Sequence, residues 1–178
     1  MTEKTLYSFG ATPTDAKQPL GQLVLGGDGN IYGTTYFGGR PGCGTGDDGG
    51  CGTVFKMSPA GEETIIYAFG GPGADDTCYP VSLIQASDGN FYGAADCSTG
   101  SNAGTIFQLT SQGVETILYA FSGGADGGDP AGLIQGSDGN FYGTTAQGGR
   151  NNCGCGTFFK LTPQGVETVL YALRSHGH

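Results

Sequence analysis

Four sets of residues in this 178-residue chain have the types and spacing for chemistry. The first is carboxylate. Asp75-Asp76 and Asp126-Gly127-Gly128-Asp129 place paired acids in glycine-rich text, and clustered carboxylates with backbone carbonyls suit the flexible oxygen shell of calcium. Calcium is therefore the one cofactor the chain suggests, although no segment follows an EF-hand or nonapeptide spacing. Paired acids also equip a glycosidase, but these have no fixed partner along the chain, and no Trp is present to carry a sugar. The second set is Tyr32, Tyr92 and Tyr142, each behind an Asp-Gly-Asn turn; such rings either stack on glycans or pack in a core. The third is Arg40 and Arg150, each closing a Gly-Gly-Arg, with the fork that can clamp a carboxylate or simply sit in solvent.

The fourth set is cysteine. Cys43, Cys51, Cys78, Cys97, Cys153 and Cys155 all stand in glycine-rich loops, which fits disulfides formed in an oxidising compartment better than cytosolic free thiols. The expected pairs are Cys43 with Cys51 and Cys78 with Cys97, while Cys153 and Cys155 are closer than ordinary pairing allows. The start, MTEKTLYSF, has neither a basic stretch nor an apolar run, so an exported form would be one already processed or recombinant. The two histidines, His176 and His178, lie in the polar end; a Ser-His-Asp triad or a His-ligated zinc cannot be built without that tail.

The elements that must position these residues come from repetition. GDGNIYGTT, SDGNFYGAA and SDGNFYGTT begin at Gly27, Ser87 and Ser137, and the Gly-Thr-x-Phe element recurs at Gly52, Gly104 and Gly156. Self-similarity at that period marks a repeat architecture. Each repeat holds four strand signals; in the middle one they are VSLIQAS, NFYGAA, GTIFQLT and VETILYAF, joined as a meander. Asp-Gly between the first two predicts a type I′ turn with positive φ at both central residues. In TILYAF, strict alternation puts Ile117, Tyr119 and Phe121 on one face and Leu118 and Ala120 on the other. A sheet apolar on both faces must be covered on both, as stacked propeller blades are. A β-trefoil has the same count of three times four strands, but suits this repeat length and two-sided apolarity less well.

The combined text GLIQGSDGNFYGTT…GTFFKLTPQGVETVLYAL resembles the GloVer tandem repeats of bacterial surface proteins and, more distantly, the blades of NHL-type and virginiamycin-lyase-like propellers. The resemblance implies a propeller-like exported protein on or outside the cell and carries no established activity. The expected fold is all-β: three four-stranded antiparallel propeller-like blades plus one surplus N-terminal strand. The divisions are 3–9 for that strand, 10–69, 70–121 and 122–173 for the repeats, and 174–178 for a tail.

All the long loops fall on one rim, with every cysteine and every aspartate outside the Asp-Gly turns; binding residues concentrate on such loops. A net charge of −9 with seven Lys and Arg disfavours nucleic acid and anionic lipid as partners, and no apolar run is long enough to span a membrane as a helix. The surplus strand, with Leu6, Tyr7 and Phe9, has no blade of its own, and an unpaired strand of that kind invites another chain. The leading expectation is a non-enzymatic scaffold whose partner is itself, as a closed oligomer or a filament. A carbohydrate-binding module acting through the loop rim is the alternative, and a propeller lyase or hydrolase the third reading.

Overall fold

The computed structural model describes residues 4–12, 14–40, 50–71, 79–96, 103–149 and 154–174. Twelve strands form three four-stranded antiparallel sheets. The first blade is β1 (Ala16–Leu25), β2 (Ile31–Gly38), β3 (Thr53–Met57) and β4 (Glu63–Ala68). The second is β5 (Tyr79–Gln85), β6 (Phe91–Asp96), β7 (Thr105–Leu109) and β8 (Glu115–Ala120); the third is β9 (Gly128–Gln135), β10 (Phe141–Gln147), β11 (Thr157–Leu161) and β12 (Glu167–Ala172). Within each blade the order follows the chain. β1 meets β5 and β5 meets β9 along the inner side, and β4, β8 and β12 are the outer strands.

The inner hairpin is not the type I′ turn that Asp-Gly suggests. Gly29 N–H donates to Gly26 O at 2.9 Å and Gly26 N–H to Asn30 O at 2.8 Å, and only Gly29, at φ +79°, has positive φ there. This is a three-residue loop, a type I turn followed by one left-handed residue. It therefore needs one glycine, and Asp28 uses its carboxylate to accept Asn30 N–H, Asn30 Nδ2 and Tyr32 OH. Asp88 and Asp138 do the same for their own repeats.

Strict alternation also fails in the outer strand. Phe107 pairs with Ile117 but Ile106 pairs with Tyr119, so Leu118 is an inserted residue. Paired residues share a face, and the bulge therefore moves Ile117 to the face opposite Tyr119. The same bulge falls at Ile66 and Leu170.

These local features build one seam twice. At the first seam, Tyr32 lies on Phe91 with ring centroids 4.3 Å apart and Phe69 meets Phe107 at 5.2 Å; at the second, Tyr92 lies on Phe141 at 4.2 Å and Phe121 meets Phe159 at 5.2 Å. Gly52 and Gly104 lie against Pro80 and Pro130 of the following blade. Phe69, Phe91, Phe107, Phe121, Phe141 and Phe159 are all fully buried. Each contributes about 1.5–3 kcal/mol by leaving water.

The surplus N-terminal segment joins none of the three sheets. It lies on the back of blade 1 where an outer strand of a preceding blade would lie. A Cβ at Gly61 would stand 2.8 Å from Leu6 O, just as one at Gly113 would stand 2.6 Å from Ile66 O and one at Gly165 2.5 Å from Leu118 O. Phe9 meets Phe55 at 5.1 Å, matching the two Phe pairs of the seams, and Tyr7 OH donates to Asp15 at 2.8 Å.

Candidate functional site

Equivalent positions on the loop rim carry different chemistry in the three repeats. Residues near the end of each second strand and near the start of the next blade's inner strand face one another across each seam. At the first seam these are Tyr36 and Tyr79, stacked with centroids 4.5 Å apart and planes 11° from parallel, with Phe37 edge-on to Tyr79. At the second they are Asp96 and Asp129, two carboxylates.

Asp96 keeps its proton more readily than an ordinary aspartate, first because it is partly desolvated and then because the charge of Asp129 is near. Its Oδ1 is buried with no hydrogen-bond partner among the described residues. Asp129 adopts φ +51°, its N–H donates to Ala103 O at 2.6 Å, and its carboxylate accepts Gln147 Nε2. The phenol of Tyr36 is pushed up by burial and by the charge of Asp96. Tyr79 is itself buried, so Tyr36, half-buried, is the ring that borders the acidic pair and the amide and can stack on an apolar ring face beside acceptors of hydroxyl protons.

Tyr32 and Tyr92 are 4% and 3% exposed; their hydroxyls donate to Asp28 and Asp88 at 2.8 Å, and one ring face is covered by the next blade's Phe. They serve the seams and leave no face for a sugar. Tyr142 meets no following blade among the described residues and lies over Phe158 at 6.2 Å. Asp126 belongs to a local network, accepting Ser122 N–H at 2.8 Å, Ser122 Oγ at 2.5 Å and Tyr119 OH at 3.2 Å. It does not join Asp129. No group of three metal-holding side chains occurs among the described residues. Arg40 is exposed. Asp75, Asp76, Arg150, Cys43, Cys78, Cys97 and Cys153 lie outside the described residues. Cys51 is buried and Cys155 half-buried, and every pairing expected of them involves a cysteine outside the described residues.

The second feature is the pair of end faces. Leu23, on the back of blade 1, is 59% exposed, whereas its counterparts Leu83 and Leu133 are 4% and 6% exposed. On the forward face of blade 3, Phe158 is 40% exposed against 0% for both Val54 and Ile106. Beside the N-terminal segment the back of blade 1 is a groove of about 430 Å³, lined by Leu6, Phe9, Pro19, Leu23, Ile31 and Phe55 among others.

A family model described as the Gloeobacter/Verrucomicrobia repeat matches residues 45–177. The chain belongs to that family. No curated protein matches this Gloeobacter/Verrucomicrobia repeat protein. A streptogramin B lyase structure superposes with a TM-score of 0.61 at 21% identity, over 95% of this chain and 44% of that one. A virginiamycin B lyase from Staphylococcus aureus in complex with quinupristin gives 0.58 at 18%, over 89% and 42%. A gluconolactonase from Xanthomonas campestris gives 0.56 at 16%, over 89% and 48%. These likenesses establish the propeller-type fold. This repeat protein spans less than half the length of each of the three.

Proposed function

We propose that this chain is a non-enzymatic, exported repeat scaffold that associates with copies of itself through the two open ends of its blade array. The observation that carries the reading is the contrast between Leu23 or Phe158 and their buried counterparts: each end exposes one half of a seam whose other half the opposite end exposes. Exposed apolar faces of that kind mark association surfaces. Six cysteines placed in glycine-rich loops support an oxidising, extracellular setting. The half-length match to full propellers supports an array that is completed by more blades.

The test is sedimentation velocity over a concentration series, comparing the chain with Phe158→Asp. Association that weakens in the variant, with an unchanged circular dichroism spectrum, is the expected result. A chain that stays monomeric at every concentration would remove the reading.

The stacked Tyr36 and Tyr79 beside Asp96, Asp129 and Gln147 favour a second role, glycan binding at the loop rim. Binding of a glycan panel measured by calorimetry, with loss in Tyr36→Ala, is the expected outcome; no heat from any glycan would count against it.

A further inference from the structure

We propose that residues 4–9 are a removable placeholder, holding the seat that β12 of a second copy takes when two chains close into one ring of six blades. This rests on the end-face reading above. The seat is defined by contacts the chain makes elsewhere: a bulge carbonyl against the turn glycine of the next blade, and a Phe on the next blade's Phe. On blade 1 both are made by the N-terminal segment, through Leu6 O at Gly61 and Phe9 on Phe55. The inner half of the same face, with Pro19 and Ile31, is the open groove. Blade 3 presents what that groove lacks: Tyr142, which corresponds to the tyrosines lying on Phe91 and Phe141, and Gly156, which corresponds to the glycines lying against Pro80 and Pro130.

Two outer-strand segments therefore exist for one seat. Residues 4–9 are held by side chains and pair with no strand, and Leu6 remains 50% exposed. β12 arrives as part of a formed ladder with β11 and brings the rest of blade 3, with the exposed Phe158 and Tyr171. It competes for the seat through that ladder and the rest of the blade, with Leu173 standing where Phe69 and Phe121 make the ring contact at the other seams. Two such seams related by a two-fold axis leave no free end face, and six blades lie within the four to eight that close a propeller. The occupied seat limits association: closing the ring empties one seat in each chain, so seats each held closed nine-tenths of the time weaken apparent affinity about a hundredfold.

Sedimentation velocity on the full chain, on a form lacking residues 1–9 and on Phe9→Ala tests this. The deletion should form a discrete two-copy species at about a hundredfold lower concentration than the full chain, and Phe9→Ala should shift in the same direction. Should the deletion lose its circular dichroism spectrum, Phe9→Ala carries the comparison. The chain contains no Trp, so Phe9→Trp gives a single reporter whose emission should move to the red as two-copy species form. If the full chain associates but neither variant associates more strongly, the placeholder is overturned and the end-face reading stands. If all forms stay monomeric, both fall. Open-ended polymers from the deletion would overturn the closed ring.

Discussion

The side-chain amide of Gln85 crosses the first seam, its Oε1 accepting Gly27 N–H at 2.9 Å while its Nε2 donates to Gly89 O at 3.1 Å. Gln135 repeats the clasp on Ser87 and Gly139, and in β1 the place is taken by Leu25, 74% exposed. Gln85→Ala should cost about 0.5–1.5 kcal/mol, at the low end because the bond is exposed, and should speed hydrogen exchange at Gly27. Leu25→Gln should leave that seam unchanged. Exchange at Gly27 that is insensitive to Gln85 would show the clasp to be incidental.

Gly139 sits at φ +79° with nothing within 4 Å of where a Cβ would be. Gly139→Val therefore meets no clash, and its cost is backbone strain alone, about 1–2 kcal/mol. For a chain this size that is a fall of roughly 2–4 °C in Tm per kcal/mol. An unchanged Tm would mean the turn relaxes.

Three phenols should make the protein sensitive to alkali. Burial, helped by the hydrogen bond to Asp88, pushes Tyr92 up to about 12; burial and the charge of Asp126 do the same for Tyr119; the hydrogen bond to Asp15, then burial, does so for Tyr7. A proton held more tightly in the folded state gives stability that is complete below the unfolded value near 10 and lost as pH rises toward 12. Unfolding midpoints should hold to about pH 10 and fall between about pH 10 and 12. Tyr92→Phe should flatten that fall, and an absorbance titration should show a late tyrosinate phase. Uniform ionisation near pH 10 would contradict the assignment.

Cys43 pairing with Cys51 and Cys78 with Cys97 remains the expectation from loop placement on one rim. Thiol counting under denaturing, non-reducing conditions should find no more than two free groups; four or more would sink it.

The repeat text specifies strands, meander order and blade count because hairpin glycines and apolar runs recur in step. It does not reveal the bulge at Leu118, since TILYAF alternates perfectly on paper and only the pairing of Phe107 with Ile117 and Ile106 with Tyr119 breaks it. It suggests a free N-terminal strand because sequence counts strands and not seats. Its recurring tyrosines point to Tyr32 and Tyr92, which the repeat uses for packing. The rim cluster lies where repeats disagree: Tyr36, Asp96 and Ala146 share one position, and comparing copies for difference would have located it.

Because the buried rings of the two seams are the same residue types, Tyr on Phe and Phe on Phe, the middle repeat is an interchangeable part. Cutting after Phe69 or Phe121 and splicing in another repeat requires no new interface, only one more Tyr on Phe and one more Gly against Pro. Stability in such a series should rise by a constant increment per added seam, as in a one-dimensional chain of coupled units.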